Sequence, residues 1–377
     1  MSGNTVFTGA SKIDADGIVD DFWMLVHGDT IVQVGTGDAP AAASVIDLSG
    51  RTITPGFIDL HCHGGGGHAF DDGDDDIVAA LATHRAHGTT RSVISLVSNP
   101  IAMLRDSLET VADLVEEDPL ILGSHLEGPY LADARRGAHH PDHLREADAI
   151  ELESLIEAAR GTLCQVTLAP ERPGALDAID RLVAAGVVVA VGHTEADHAT
   201  AREAFQRGAT LLTHAFNAMA GIHHREPGPI VAAYADERVT LELILDGVHV
   251  HPDVVRSAFL AAPGRIALVT DAMAATGEND GDYRLGELNV SVRGGRALLS
   301  GTTTIAGSTL TQDEALRCAV RDASIDPVAA VAALTATPAH VLGLGERLGR
   351  LAPGYAADLV VLDGWDVEQV WAAGRRL

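Results

Sequence analysis

TPGFIDLHCH, residues 54–63, is an apolar run that closes on two histidines flanking a cysteine. The same design returns along the chain in PLILGSHLEGP (119–129), VVVAVGH (187–193), ATLLTH (209–214), VTLELILDGVH (239–249) and RIALVTD (265–271). Each run suits one β-strand, and each closes on a metal-binding or acid–base residue: His61 and His63, then Glu127, His193, His214, His249 and Asp271. Amphipathic stretches of helical spacing stand between the runs, such as DDIVAALATHRAHG (75–88), IAMLRDSLETVADLVEE (101–117) and ALDAIDRLVAAG (175–186). Strands are expected near 56–63, 89–97, 119–127, 163–169, 187–193, 209–214, 239–246 and 265–271. Eight such β-then-α units predict an α/β chain folded as a closed, TIM-like (β/α)8 barrel rather than an open sheet. A barrel gathers its active site at the carboxyl ends of its strands, so residues distant in sequence converge there.

The two ends of the chain read differently. Residues 1–52 carry short strand-like runs between Asp/Gly turns (DGIVDDFWMLVHGDTIVQVG, then ASVIDLSGRTI), and the style returns from Leu348 onward. Residues 1–52 with 348–377 are therefore expected to form a small β-sandwich, leaving 53–347 as the barrel. Inside the latter, YRLGELNVSVRGGRALL (283–299) reads as a β-hairpin turning at Gly294-Gly295. The run Gly64–Gly67 lacks the spacing of a phosphate-cradling loop and reads as a close backbone approach to the metal pocket.

Composition narrows the function classes. The net charge of −27 argues against nucleic acid or an anionic membrane as partner. No apolar run is long enough to span a bilayer, and the amino-terminal residues lack the basic and hydrophobic regions of a signal peptide. Three widely spaced cysteines (Cys62, Cys164, Cys318) fit a reduced, cytoplasmic protein better than a disulfide framework.

The recurrent residues specify chemistry. Histidine with carboxylate suits a divalent ion, Zn²⁺ first and Fe²⁺, Mn²⁺ or Co²⁺ after it. His61 and His63, two apart on a strand, point to one face and Cys62 to the other. They could hold one ion and His193 with His214 another, with Glu127 bridging or completing either. A lone histidine on an apolar strand is more often a hydrogen-bonded core residue. Five ligand-type residues, all at expected strand ends, outweigh that reading. Asp271 is the expected general base, taking a proton from metal-activated water and returning it to a departing amine. His125 is expected to orient the ligand Glu127. His139 is expected to stabilise an oxyanion and His249 to contact substrate. No role falls to His140 or His143 in RRGAHHPDHL (135–144).

Together PGFIDLHCHG (55–64), HLEGPYL (125–131), RGAHH (136–140), VGHTEAD (191–197), THAFNAM (213–219), REPG (225–228), DGVHVHP (246–252) and LVTDAMAATG (268–277) resemble the N-acetylglucosamine-6-phosphate deacetylases of the amidohydrolase superfamily. IAGSTLTQDEALR (305–317) and LAPGYAADLVVLD (351–363) fit as well, so the likeness spans nearly the whole chain. The resemblance implies a homodimeric enzyme that hydrolyses the acetamide of a phosphorylated amino sugar to acetate and glucosamine 6-phosphate. It implies Glu127, His193 and His214 as principal metal ligands and Asp271 as acid–base residue. His139 and His249 would meet the sugar or its carbonyl, the backbone at Asn217-Ala218 the phosphate, and Arg225 would reach in from the partner subunit. Many amidohydrolases bridge two ions with a carbamylated lysine, but Lys12 is the only lysine and lies outside the barrel. Glu127 is its natural substitute. With His61 and His63 both present, two ions are expected, one ion being the alternative. Rival readings are the N-acetylgalactosamine 6-phosphate substrate and another amide hydrolysed on the same barrel.

Overall fold

All eight apolar runs become parallel strands of one sheet. They are β1 (Phe57–Asp59), β2 (Thr89–Leu96), β3 (Ile121–Glu127), β4 (Leu163–Leu168), β5 (Val188–Val191), β6 (Leu211–Leu212), β7 (Thr240–Ile244) and β8 (Ile266–Val269). The computed structural model describes residues 4–377. Each strand lies beside its sequence neighbour, with registers such as Glu127↔Thr167, Val191↔Leu212 and Ile244↔Val269. The two ends of the sheet meet just past its edge strands. Asp271 N donates to His61 O at 2.8 Å, and His63 N to Ala272 O at 2.7 Å. This is the expected barrel.

The strands stop earlier than their apolar runs. His193, His214 and Asp271 have positive φ (46°, 27° and 49°), which turns the chain out of the extended conformation. The second such stop leaves β6 only two residues long. Helices follow as the spacing predicts. Ile101–Glu117 buries Leu104, Leu108, Val111, Ala112 and Leu114 along one stripe, and Pro100 immediately precedes it. Among the described residues no helix is long and apolar enough to cross a membrane.

The chain divides into two compact units, residues up to Asp59 with His84–Arg91 and Thr311–Leu377, and Leu60–Thr83 with Ser92–Leu310. In the first, both termini share one mixed eight-stranded sheet. Leu359–Asp363 runs antiparallel to Thr52–Pro55, which lies parallel to Asn4–Asp14. Phe7, Met24, Ile31, Ile53, Val361 and Trp371 fill its core, Phe7 meeting Trp371 edge to face at 5.0 Å. Lys12 is buried there, 2.8 Å from Asp14.

Within the second unit the expected hairpin, Leu288–Arg293 with Arg296–Leu299, is present and is extended by Gly281–Leu285 into a three-stranded antiparallel sheet. Gly294 and Gly295, both at positive φ, make the expected turn. The first strand escaped the reading because Gly281–Leu285 (GDYRL) is short and polar. The run Gly64–Gly67 also serves another end. Gly64 and Gly65 pair with Ala69 and His68, and a Cβ on Gly64 would lie 2.3 Å from His68 O.

Candidate active site

Glu127, the last residue of β3, is the hub of the carboxyl end of the barrel. Its Oε1 lies 3.0 Å from His193 Nε2, 3.1 Å from His214 Nε2 and 3.4 Å from His61 Nε2. Its Oε2 lies 3.1 Å from His63 Nε2 and 3.3 Å from His139 Nε2. Asp271 Oδ1 stands 3.6 Å from His61 Nε2 and 3.5 Å from His63 Nε2. Six of the residues singled out from the strand ends thus converge with His139 on one point, and all belong to the second unit.

The backbone that aims them is held by its neighbours. A non-glycine residue at positive φ costs on the order of 1–3 kcal/mol and persists only where its surroundings impose it. Before His193 stands Gly192, where a Cβ would sit 2.7 Å from Thr213 and 2.8 Å from Thr167, so the chain can pass close to both. At Asp271 the N–H is fixed on His61 O, and the carbonyl accepts from Ser308 N at 2.7 Å.

Hydrogen bonds on the far side of two of the rings decide which nitrogen is bare. His193 Nδ1 lies 2.8 Å from the carbonyl of Arg135, which can only accept, so Nδ1 carries the proton and Nε2 offers a lone pair. His61 Nδ1 faces Glu242 Oε2 at 3.1 Å with the same result. His193 Nε2 is 2.9 Å from His214 Nε2, and His61 Nε2 is 3.1 Å from His63 Nε2. Electron-pair donors packed this closely around a carboxylate fit a divalent cation, with donors of the kind zinc takes. His139 differs. Its Nδ1 accepts the backbone N–H of Ser98 at 3.2 Å, so the neutral ring carries its proton on Nε2 and presents a donor.

Burial and charge act strongly on these groups. Burial alone would push the Glu127 carboxyl up, but His61, His139 and His193 hold it well below the usual range. Burial works against a charged His61, yet Glu127 and Asp271 outweigh it and raise its pKa. His139 is pushed down to about 4, chiefly by burial, and stays neutral at physiological pH. His125 is held well below its ordinary value by burial and then by His61. It bonds Ser95 Oγ at 2.9 Å and Thr167 Oγ1 at 2.8 Å and packs edge-on against the His61 ring.

A pocket of about 480 Å³ opens above the cluster. His63, Glu127, His139, His193, His214, Asn217, Ala218, His249 and Asp271 all line it. His249 Nδ1 is fixed on Asp246 Oδ2 at 2.7 Å, turning Nε2 outward. Asn217 folds its amide onto the carbonyls of His214 and Ala215, at 3.3 and 3.4 Å. Arg225 is not among the lining residues. It lies exposed, with Nη1 2.6 Å from His224 Nε2.

Glu242 escaped sequence reading. It is fully buried in β7 and accepts from Gln165 Nε2 at 3.0 Å and His214 N at 3.3 Å besides facing His61. A charged residue inside VTLELIL was its one visible sign.

Known proteins resemble this chain over most of its length. Residues 52–377 match the amidohydrolase family model, and the family is metal-dependent. The chain is 38% identical over 365 residues to an N-acetylgalactosamine-6-phosphate deacetylase of Escherichia coli O157:H7, covering 96% of each protein. It is 36% identical to an N-acetylglucosamine-6-phosphate deacetylase of Vibrio furnissii, covering 92% of this chain and 88% of that one. Among solved structures it superposes, at TM-score 0.95, 45% identity and 99% coverage of both chains, on a substituted N-acetyl-D-glucosamine-6-phosphate deacetylase of Mycobacterium smegmatis in complex with N-acetyl-D-glucosamine-6-phosphate. With that match over most of its length, the chain belongs to the amidohydrolase family.

Proposed function

We propose that this protein hydrolyses the acetamide of N-acetyl-D-glucosamine 6-phosphate, releasing acetate and D-glucosamine 6-phosphate. One observation carries the reading. His193 Nε2, His214 Nε2 and Glu127 Oε1 lie within 2.9–3.1 Å of one another beneath a pocket that Asp271 also lines. The deacetylases that this chain resembles, the Mycobacterium smegmatis protein among them, support the choice of substrate.

Glu127, His193 and His214 would hold the principal ion, and His61 with His63 a second one that shares Glu127. Zn²⁺ is the proposed metal, because imidazole with carboxylate is its usual catalytic set; Fe²⁺, Mn²⁺ and Co²⁺ suit the same donors. Such an ion supplies an acidified water as nucleophile and polarises the carbonyl under attack. Asp271 would take the proton from that water and deliver it to the amine nitrogen as the C–N bond breaks. His139, neutral with its proton on Nε2, would donate to the carbonyl or to a sugar hydroxyl. His249, steadied by Asp246, would meet another hydroxyl, and His125 would buttress the ring of His61.

The phosphate would rest on the backbone at Asn217-Ala218. Positive φ at His214, Phe216 and Ala218 (27°, 80° and 52°) is the kind of turn in which N–H groups gather around an anion. Arg225 would add its guanidinium from the partner of a homodimer, which accords with its exposure and its absence from the lining of its own pocket. Residues 53–347 would be the hydrolase domain and 1–52 with 348–377 its β-rich companion, in a cytoplasmic enzyme.

Acetate release tests the reading, measured on N-acetylglucosamine 6-phosphate, the unphosphorylated sugar and the galacto epimer, with and without a chelator. Fast, chelator-sensitive turnover confined to the phosphorylated gluco compound is expected. Turnover of the galacto epimer alone would keep the mechanism and change the substrate. No turnover of any of the three by metal-loaded protein would overturn it.

A further inference from the structure

Two histidines with no part in the catalytic scheme lie just beyond His139. His140 caps and His143 closes a short turn, Pro141–His143, in the loop after β3, just past its pocket-lining residues. Their rings stack at 4.8 Å, tilted by 33°. Glu287, at the tip between the first two strands of the inserted sheet, reaches His143, with Oε2 3.3 Å from Nε2. One donor atom from each of the three falls within 4.8 Å of the other two. All three residues belong to the second unit.

The geometry points to a second metal site here, outside the catalytic pocket, in which His140, His143 and Glu287 take a divalent transition ion, best Zn²⁺, and pin the inserted sheet to the loop after β3. Two imidazoles and a carboxylate are a recognised ligand set for such ions. Tetrahedral zinc with bonds of about 2.0–2.1 Å sets its donors about 3.3 Å apart, so the His143–Glu287 pair already stands at ligand spacing. His143 is largely buried and Glu287 half exposed, which fixes one ligand and leaves room for water to complete the coordination.

Three features bear on occupancy. The contact from Asp142 N to His140 Nδ1 is long, at 3.3 Å, and ligation through either ring nitrogen gives it up. Ligation also releases the proton that His143 Nε2 shares with Glu287. Against this, the net charge of −27 raises the local concentration of cations.

The consequence is a link between pocket walls. The loop supplies Asp133–His139 and the sheet supplies Leu285 to the lining of the active-site pocket. Neither His140, His143 nor Glu287 lines it, so an ion on them would tie the two walls together from outside without touching substrate.

Equilibrium dialysis of the full-length, zinc-loaded protein against micromolar free Zn²⁺ tests the site, with wild type, His143→Gln, Glu287→Gln and the double variant side by side. Wild type should hold one zinc per chain more than the double variant, and each single variant should bind that ion at least tenfold more weakly. Equal zinc content in wild type and double variant would overturn the site. The clamp has its own readout in amide exchange. Added Zn²⁺ should slow exchange across residues 281–299 in wild type and leave Glu287→Gln unchanged; no slowing in wild type would overturn the clamp.

Discussion

His61 Nδ1 lies 3.1 Å from Oε2 of Glu242, a carboxylate sealed inside the barrel on β7. That contact fixes the tautomer of His61 and turns its Nε2 toward Glu127 and Asp271. The same carboxylate holds His214 N, so it touches residues of both candidate ion positions. Glu242→Gln should therefore loosen metal rather than only destabilise the fold. Outer partners of metal-bound histidines are typically worth about 10- to 100-fold in affinity. Chelator competition should show a loss of that order; unchanged metal retention would remove Glu242 from the site's support.

Asp271 carries the proton in the proposed mechanism and is not a member of the principal ligand set. Asp271→Asn keeps the shape and removes the base. General acid–base groups contribute about 10²- to 10⁴-fold, so kcat should fall by that order while metal content stays constant. A variant that loses its metal instead would make Asp271 a ligand first.

How far the sequence carried this reading depended on whether a residue's signal was local. The eight barrel strands were legible because apolar runs alternate with helical spacing and six of them end on a polar ligand-type residue, and Glu127, His193, His214, His61, His63 and Asp271 meet as their positions at strand ends require. Glu242 was not legible, since its partners lie 181 and 28 residues away and only the closed barrel brings them together. His139 shows the intermediate case. Its place beside Glu127 follows from the loop after β3, but the proton on Nε2 depends on Ser98 N, which no spacing in the sequence announces. The strand Gly281–Leu285 was hidden for a plainer reason, its polar composition.

Arg225 tests the proposed homodimer. Its guanidinium does not line its own chain's pocket, so truncation should act on a neighbouring subunit's site. Hydrogen bonds to charged groups contribute about 1.5–3 kcal/mol, so Arg225→Ala should raise KM for the phosphorylated sugar roughly tenfold or more with kcat little changed. Mixing refolded Arg225→Ala and Asp271→Asn chains should restore low-KM activity, because one site of each mixed dimer then has both native residues. Failure to complement would return Arg225 to its own subunit or remove it from phosphate binding.

A pH dependence of stability follows from His87 and Asp313, both in the first unit. His87 Nδ1 lies 3.2 Å from each oxygen of Asp313, whose Oδ2 also accepts from Arg317 Nη1 at 3.1 Å. The hydrogen bond to Asp313 raises the pKa of His87 although burial and Arg317 oppose it. Burial pushes Asp313 up, but His87, Thr311 and Arg317 together bring it below its ordinary value. A raised histidine contributes stability that is complete below its unfolded pKa of about 6.5 and is lost as pH climbs through the folded value. A depressed aspartate contributes stability that is present above about 3.9 and is lost as pH falls through its folded value. The pair therefore works best between about pH 4 and 6.5. Part of the effect is screened, because the His87 side chain is 40% exposed. His87→Gln should lower Tm more at pH 5.5 than at pH 8.5, read by thermal unfolding in matched ionic strength. An equal drop at both values would mean that packing, not the charged pair, is what His87 contributes.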